Sequence, residues 1–354
     1  MSLIHGGDVE GFVRDFGREP VDFSANCNPL GLPESAKRAV IESLDTADRY
    51  PDPLSRRLRE TLGGHLDVAP ESIFCAAGAA EVIFRIAAAT GPKHALLLAP
   101  GFAEYELALR SVGCDIDFHY LSPENDFVLT DSLLDEIRDD IDIIFLCNPN
   151  NPTAQLIEQE LLLRILARCR EMGVLLVLDE CFNGFLDDPD ARSLRPFLTE
   201  NPNLVILGAF TKLYGMAGLR LGYCLNSDLG LIEALERAGQ PWCVSSVASA
   251  AGIAVLDDSE YLERSLKLIG EERVFLIEGL ERCGIRVIGS GANFIFFRSP
   301  VPELGRLCRE RGFLIRDCSN YRGLGKGYYR IAVRTHDENL KLLEALSQIM
   351  KARA

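Results

Sequence analysis

The sequence predicts an α/β protein, with a mostly parallel central sheet in a large domain and a smaller α+β domain at the C-terminal end. Three observations carry this. From about residue 70 to 225, short β-rich runs alternate with runs of helical spacing. Strand–helix alternation makes crossover units, and these build parallel sheets covered on both faces. Val174–Leu178 is continuously apolar, as a strand buried on both sides must be. After Ser227 the order changes to long helices followed by clustered strands.

In chain order, the first 45 residues are rich in Gly and Pro, with Gly6-Gly7 and the run Asn28-Pro29-Leu30-Gly31-Leu32-Pro33. They read as an extended arm entering a short helix over Pro33–Ser43. Strands are expected at Ile73–Ala77, Ala95–Ala99, Asp115–His119, Asp142–Cys147, Val174–Asp179 and Leu204–Ala209. Helices are expected between them, at Glu81–Ala89, Glu104–Val112 and Gln159–Met172. Leu229–Ala238 and the charged stretch Ser259–Arg282 also read as helices. Strand-like runs follow at Ile285–Ile288, Asn293–Arg298, Phe313–Arg316 and Tyr328–Val333, with helices near Glu303–Arg311 and His336–Lys351. The expected division is an arm over 1–45 joining the small domain, a large domain over 46–240 and a small domain over 241–354.

The chain has 354 residues, 47% hydrophobic and 25% charged, which suits a packed core in one large domain with a companion. A net charge of −15 makes nucleic acid and acidic membranes poor partners. An anionic ligand must then be held by particular Arg, Lys and backbone N–H groups. No apolar run approaches the roughly 20 residues that span a bilayer, and no basic stretch leads into an apolar N-terminal core. The eleven cysteines are scattered with no C-x-x-C pair. Cys75, Cys147 and Cys224 lie in runs that read as buried strands. The cysteines are expected to be reduced core residues of a cytoplasmic protein, with no metal site.

In open α/β sheets, ligands sit beyond the carboxyl ends of the strands. Ile73–Ala77 runs into Gly78-Ala79-Ala80-Glu81, where small residues free the N–H groups of a helix start. A tight turn explains the same glycine. Asp142–Cys147 runs into Asn148-Pro149-Asn150-Asn151-Pro152-Thr153, a stiff loop that fixes the direction of the Asn151 amide. Val174–Leu178 ends in Asp179, a carboxylate that is costly there without a donor or cation. Leu204–Ala209 runs into Phe210-Thr211-Lys212-Leu213, then a glycine-rich segment carrying Arg220. A lysine among apolar neighbours loses proton affinity and becomes a usable nucleophile.

The ordered set N-N-P-T, D-E-x-[YF] and T-K followed by G-L-R-x-G-Y resembles the fold-type I aminotransferases, and the resemblance covers nearly the whole chain. It implies pyridoxal 5'-phosphate (PLP) as cofactor, bonded covalently to Lys212, with Asp179 facing the pyridine nitrogen. By the same resemblance Asn151 bonds the 3'-oxygen, and Arg220, Thr211 and the amides near Gly78 and Ala79 hold the phosphate. Tyr105 falls where the family stacks an aromatic ring on the cofactor. Tyr50 matches a tyrosine that reaches the phosphate in the neighbouring subunit, which implies a homodimer with shared sites. Ala209, Ala154 and the pair Ala79-Ala80 depart from the usual pattern and shift the phosphate toward backbone amides and Arg220.

Within the family, three stretches resemble a branch that decarboxylates threonine phosphate for cobalamin biosynthesis. They are His5-Gly6-Gly7 with Asp22–Gly31, Pro100–Tyr105, and Arg316–Tyr321 with Tyr328–Arg334. The alternative is a branch of aminotransferases acting on histidinol phosphate. Phe182, where aminotransferases usually carry a tyrosine, leans toward the decarboxylases. The resemblance implies a small phosphorylated amino acid as substrate, with Arg316 and Arg330 on its anions and His5 and Asn26 helping to seat it. A PLP-binding protein without turnover is disfavoured by the intact set Asn151, Asp179, Lys212 and Arg220.

Overall fold

Every strand expected between residues 70 and 210 forms, and a seventh joins them. The computed structural model describes residues 5–352. One sheet holds β1 (Ile73–Ala76), β2 (His94–Ala99), β3 (Asp115–Tyr120), β4 (Ile143–Cys147), β5 (Leu175–Asp179), β6 (Leu204–Ala209) and β7 (Gly222–Leu225). Their order across the sheet is β1-β7-β6-β5-β4-β2-β3. β3, β2, β4, β5 and β6 are paired in parallel, while β7 runs antiparallel to both β1 and β6. Every residue of β4 is buried, as are the last four of β5. Burying each such Val, Leu, Ile or Phe side chain stabilises by about 1.5–3 kcal/mol.

Register decides what the site contains. Asp179 at the end of β5 pairs with Cys147 on one side and Leu207 on the other. Parallel strands in register end together, so the segments after β4, β5 and β6 leave the sheet at one edge.

The helices cover both faces. α1 (Val9–Phe16), α2 (Glu34–Ser43), α3 (Arg56–Leu66), α4 (Ala79–Thr90) and α5 (Ala103–Ser111) are followed by Gln159–Met172, Leu229–Arg237, Ser246–Leu256, Ser259–Arg282, Leu304–Glu310 and His336–Lys351. α1 corrects the expectation of an arm extended throughout. Asp8 caps it by accepting from the Gly11 N–H, and Gly17 ends it in the left-handed conformation at φ 66°. α1 is fastened to the C-terminal unit, where Arg309 reaches Asp15 at 2.8 Å and lies over the Phe12 ring.

The small sheet has the order β10-β11-β9-β8, with β8 (Arg286–Gly289), β9 (Phe294–Arg298), β10 (Arg316–Asp317) and β11 (Tyr328–Ala332) all antiparallel. The single strand expected over Phe313–Arg316 is two. Phe313–Leu314 pairs in parallel with Val21–Asp22 of the arm, while Arg316 has changed partner to Arg330.

Packing departs from the expected boundaries at 45 and 240. Ala36 of α2 and Ala248, Ala251 and Val255 share one core with Leu96, Ile144 and Leu178 of the large sheet. The chain changes bodies within Ser259–Arg282. Tyr261 belongs to the large core, whereas Ile269, Leu276 and Leu280 belong to the core of the small sheet. Among the described residues, no helix is long and apolar enough to cross a membrane, and no group of three or more His, Cys, Asp or Glu is placed to hold a metal. All eleven cysteines are free, and Cys75, Cys147 and Cys224 are buried in β1, β4 and β7.

Candidate active site

A cavity of about 350 Å³ opens where β4, β5 and β6 end. Its walls bring together ten of the thirteen residues expected at the site: His5, Asn26, Ala79, Asn151, Asp179, Thr211, Lys212, Arg220, Arg316 and Arg330. Gly78, Tyr105 and Tyr50 do not line it.

Lys212 stands in the single helical turn Phe210–Leu213 that follows β6. The arm braces this turn. The Asn28 backbone N–H donates to the Lys212 carbonyl at 3.0 Å, and its side-chain amide donates to the Leu213 carbonyl at 2.7 Å. Burial lowers the pKa of the Lys212 amine, and the guanidinium groups of Arg330 and Arg220 push the same way. Such an amine sheds its proton readily and can attack an aldehyde.

Asp179 is 4% exposed and has two donors. The Cys181 N–H donates to Oδ1 at 3.0 Å, and the Tyr105 hydroxyl donates to Oδ2 at 2.5 Å. Tyr105 does not line the cavity; its ring stacks on Phe145 at 5.0 Å and its hydroxyl supports Asp179. Burial and the Asp179 charge push the Tyr105 hydroxyl well up, so it stays a donor. Phe102, three residues earlier, is the aromatic side chain of this turn that lines the cavity.

The loop after β4 is held from within. Asn150 donates to the Pro100 carbonyl and to Thr153 Oγ1, and Asn148 accepts from the Ile157 N–H at 3.0 Å. The Asn151 side-chain oxygen accepts from Arg330 Nη1 and, at 3.4 Å, from the Tyr321 hydroxyl. This turns the Asn151 amide N–H donors to the cavity.

Gly78 has φ 93°, a conformation that L side chains rarely adopt. It starts α4, and a Cβ there would lie 2.6 Å from Arg220 Nη2. The glycine thus lets the guanidinium lie against the backbone beside the N–H groups of Ala79 and Ala80. Thr211 adds a buried hydroxyl. A helix N-terminus, a guanidinium and a hydroxyl together make a phosphate cradle.

The opposite wall is cationic. Arg330 is 6% exposed and donates to Ser24 O at 3.1 Å, and among the described residues its Nε–H finds no acceptor. Among the described residues, no carboxylate forms an ion pair with it. Arg316 reaches the Asp317 carbonyl and Asn320 Oδ1 at 2.7 and 2.9 Å and lies over the Tyr321 ring. Among the described residues, the buried side-chain Nδ2 and Oδ1 of Asn26 have no hydrogen-bond partner. Tyr50 is 81% exposed and stacks on Trp242.

These residues fit PLP. Lys212 can take the aldehyde, Asp179 the pyridine nitrogen, Asn151 the 3'-oxygen, and the Gly78–Arg220 cradle the phosphate. The unpartnered Arg330 Nε and Asn26 amide remain for a second, anionic molecule. A neighbouring cavity of about 200 Å³ shares Cys181 and Ala209 but lacks this set. Its half-buried Glu180 accepts from Ser193 Oγ and the Leu194 N–H, and desolvation pushes its carboxyl up to about 7.

Sequence reasoning passed over Phe102, Ser24 and Tyr321. Phe102 and Tyr105 lie in the same quoted turn, and helical spacing alone leaves open which aromatic faces the ligand.

The model of the family "Aminotransferase class I and II" matches residues 18–346. The chain is 38% identical to the threonine-phosphate decarboxylase of Salmonella typhimurium, over 99% of this chain and 97% of that protein. The crystal structure of L-threonine-O-3-phosphate decarboxylase from Porphyromonas gingivalis superposes with a TM-score of 0.82 at 28% identity, covering 94% of this chain and 99% of that one. The histidinol-phosphate aminotransferase of Sinorhizobium meliloti, solved with PLP, shares the fold with a TM-score of 0.88 at 24% identity, over 100% of this chain and 96% of that one.

Proposed function

The chain belongs to the class I and II aminotransferase family, and from that premise we propose that it is a PLP-dependent decarboxylase of L-threonine O-3-phosphate, yielding aminopropanol phosphate and CO2 for cobalamin biosynthesis. The observation that carries the substrate reading is Arg330. It is a buried guanidinium with an unpartnered donor and, among the described residues, no ion-paired carboxylate, and it lines the same cavity as Lys212. A buried cation left in that state is built to receive an anion, because pairing is what offsets its desolvation. Identity to the Salmonella decarboxylase over the full chain supports the choice of reaction.

When bound, PLP supplies an aldehyde for an amine and a protonated ring that withdraws electrons from the bond being broken. The residues do the rest. Lys212 is the covalent anchor, and its depressed amine later carries the proton delivered to Cα. Asp179, held by Tyr105 and Cys181, keeps a proton on the ring nitrogen. Arg330 and Arg316 grip the substrate carboxylate and phosphate, which fixes the bond to the carboxylate in the orientation for cleavage. His5 and Asn26 close that wall from the arm.

The site's phosphate cradle is completed by Tyr50 of a second copy in a homodimer. Support comes from exposed apolar side chains: Tyr50 stacks on Trp242, and Leu54 and the α2 residue Ile41 are exposed as well. The enzyme works in the cytoplasm, in keeping with its eleven free cysteines.

The test is CO2 release from L-threonine O-3-phosphate by the PLP-loaded protein without added keto acid. Release at enzymatic rates supports the reading. Conversion of histidinol phosphate that depends on 2-oxoglutarate, without CO2, overturns it in favour of the aminotransferase.

A further inference from the structure

Glu104 is an anion in a wall made for anions. It is the second residue of α5, its side chain is 13% exposed, and it lines the cavity with Arg316, Arg330 and Arg220. A bare carboxylate there would repel both anions of the proposed substrate. Its Oε1 lies 2.6 Å from His5 Nε2, while Oε2 is buried with no partner. Among the described residues, His5 is its one hydrogen-bonding and ionic partner.

His5 leads the arm, and the arm is attached to the other body. The Gly7 N–H donates to Ser24 Oγ at 2.7 Å, and a Cβ on Gly6 would lie 2.4 Å from the Ser24 carbonyl. That same carbonyl accepts from Arg330 Nη2. Beyond it, Asp15 is bound by Arg309, and Val21–Asp22 pairs with Phe313–Leu314. The His5–Glu104 contact therefore spans the mouth of the cavity, from a helix of the large sheet to a segment carried by the small one. The tilted contact of the His5 ring with Phe102, at 6.2 Å, sets it beside the aromatic wall.

We infer that Glu104 is a positioning residue for substrate binding: through His5 it fastens residues 5–7 over the cavity, where the arm completes the anion-binding wall opposite Arg316 and Arg330. This rests on the phosphothreonine reading for its substrate, though not for the latch itself. The contact occupies Oε1 of Glu104 and holds the imidazole in place, with Nδ1 left for the ligand. When either partner is removed, substrate anions meet an untethered arm, and binding suffers before chemistry does.

The experiment uses PLP-loaded Glu104→Gln, His5→Ala and the double variant. Glu104→Gln keeps the shape of the side chain and the first turn of α5. Kinetics with L-threonine O-3-phosphate are expected to show KM raised about tenfold in each single variant, with kcat lowered less than twofold and PLP content unchanged. The double variant is expected to be no worse than the weaker single, because both changes break one contact. Hydrogen exchange at the amides of residues 6–13 is measured alongside and is expected to quicken in Glu104→Gln. Unchanged exchange and KM, or a double variant with the two effects multiplied, overturns the inference. If the wild type releases no CO2 from phosphothreonine yet exchange quickens in the variant, the latch stands and the substrate reading fails.

Discussion

Replacing Arg330 with methionine should separate binding from stability. The guanidinium makes two hydrogen bonds, to Asn151 Oδ1 and Ser24 O, and carries a buried charge with no ion-pair partner among the described residues. Hydrogen bonds from a charged donor contribute about 1.5–3 kcal/mol each. An uncompensated buried charge costs several kcal/mol. The two nearly cancel, so the ligand-free protein should change stability by less than about 2 kcal/mol. Substrate binding has no such cancellation. Losing one partner of a buried charge pair costs about 2–5 kcal/mol, and a loss of about 3 kcal/mol lowers kcat/KM roughly a hundredfold. The assays are urea unfolding without ligand, and CO2 release with phosphothreonine. A variant destabilised by about 4 kcal/mol, with kcat/KM reduced less than tenfold, would show that Arg330 holds the fold together and refute its role as an anion receptor.

Three further changes probe the surroundings. Tyr105→Phe removes the hydroxyl donated to Asp179 while keeping the ring on Phe145, and it should lower unfolding stability by about 1–3 kcal/mol; no loss would mean that the bond contributes nothing. Gly78→Ala puts a Cβ 2.6 Å from Arg220 Nη2 at a positive φ, so PLP affinity by equilibrium dialysis should fall at least tenfold, and undiminished affinity would remove Arg220 from the cradle. Burial raises Glu180 from 4.5 to about 7. The folded state thus holds its proton more tightly, and the stability it contributes is complete below pH 4.5 and lost as pH rises through 7. Glu180→Gln should flatten the fall in unfolding stability across that window by up to about 3 kcal/mol, and an unaltered pH profile would contradict the assignment.

The large sheet was legible because its cues are local. Val174–Leu178 fits a doubly covered strand, and the strand ends then put Asn151, Asp179 and Lys212 at one edge. β7 escaped delimitation because Gly222–Leu225 is only four residues long and adjoins the glycine-rich segment that follows Lys212. α1 carried readable signals, Asp8 before it and Gly17 after it, but the surrounding glycines suggested extended chain. The strand expected at Phe313–Arg316 divides because each half pairs with a segment distant in sequence, which no local pattern reveals. The same limit hid the role of Tyr105. Its place in the turn was plain, whereas its hydroxyl's path to Asp179 depends on how α5 seats against β4 and β5. Glu104 and His5 lie about a hundred residues apart, and only the fold brings them to 2.6 Å.

The covalent anchor is the point on which everything else depends. Purified protein loaded with PLP, reduced with borohydride, digested and read by mass spectrometry should carry the phosphopyridoxyl group on the peptide containing Lys212. A label on another lysine, or on none, would contradict the placement of the cofactor between that amine and Asp179.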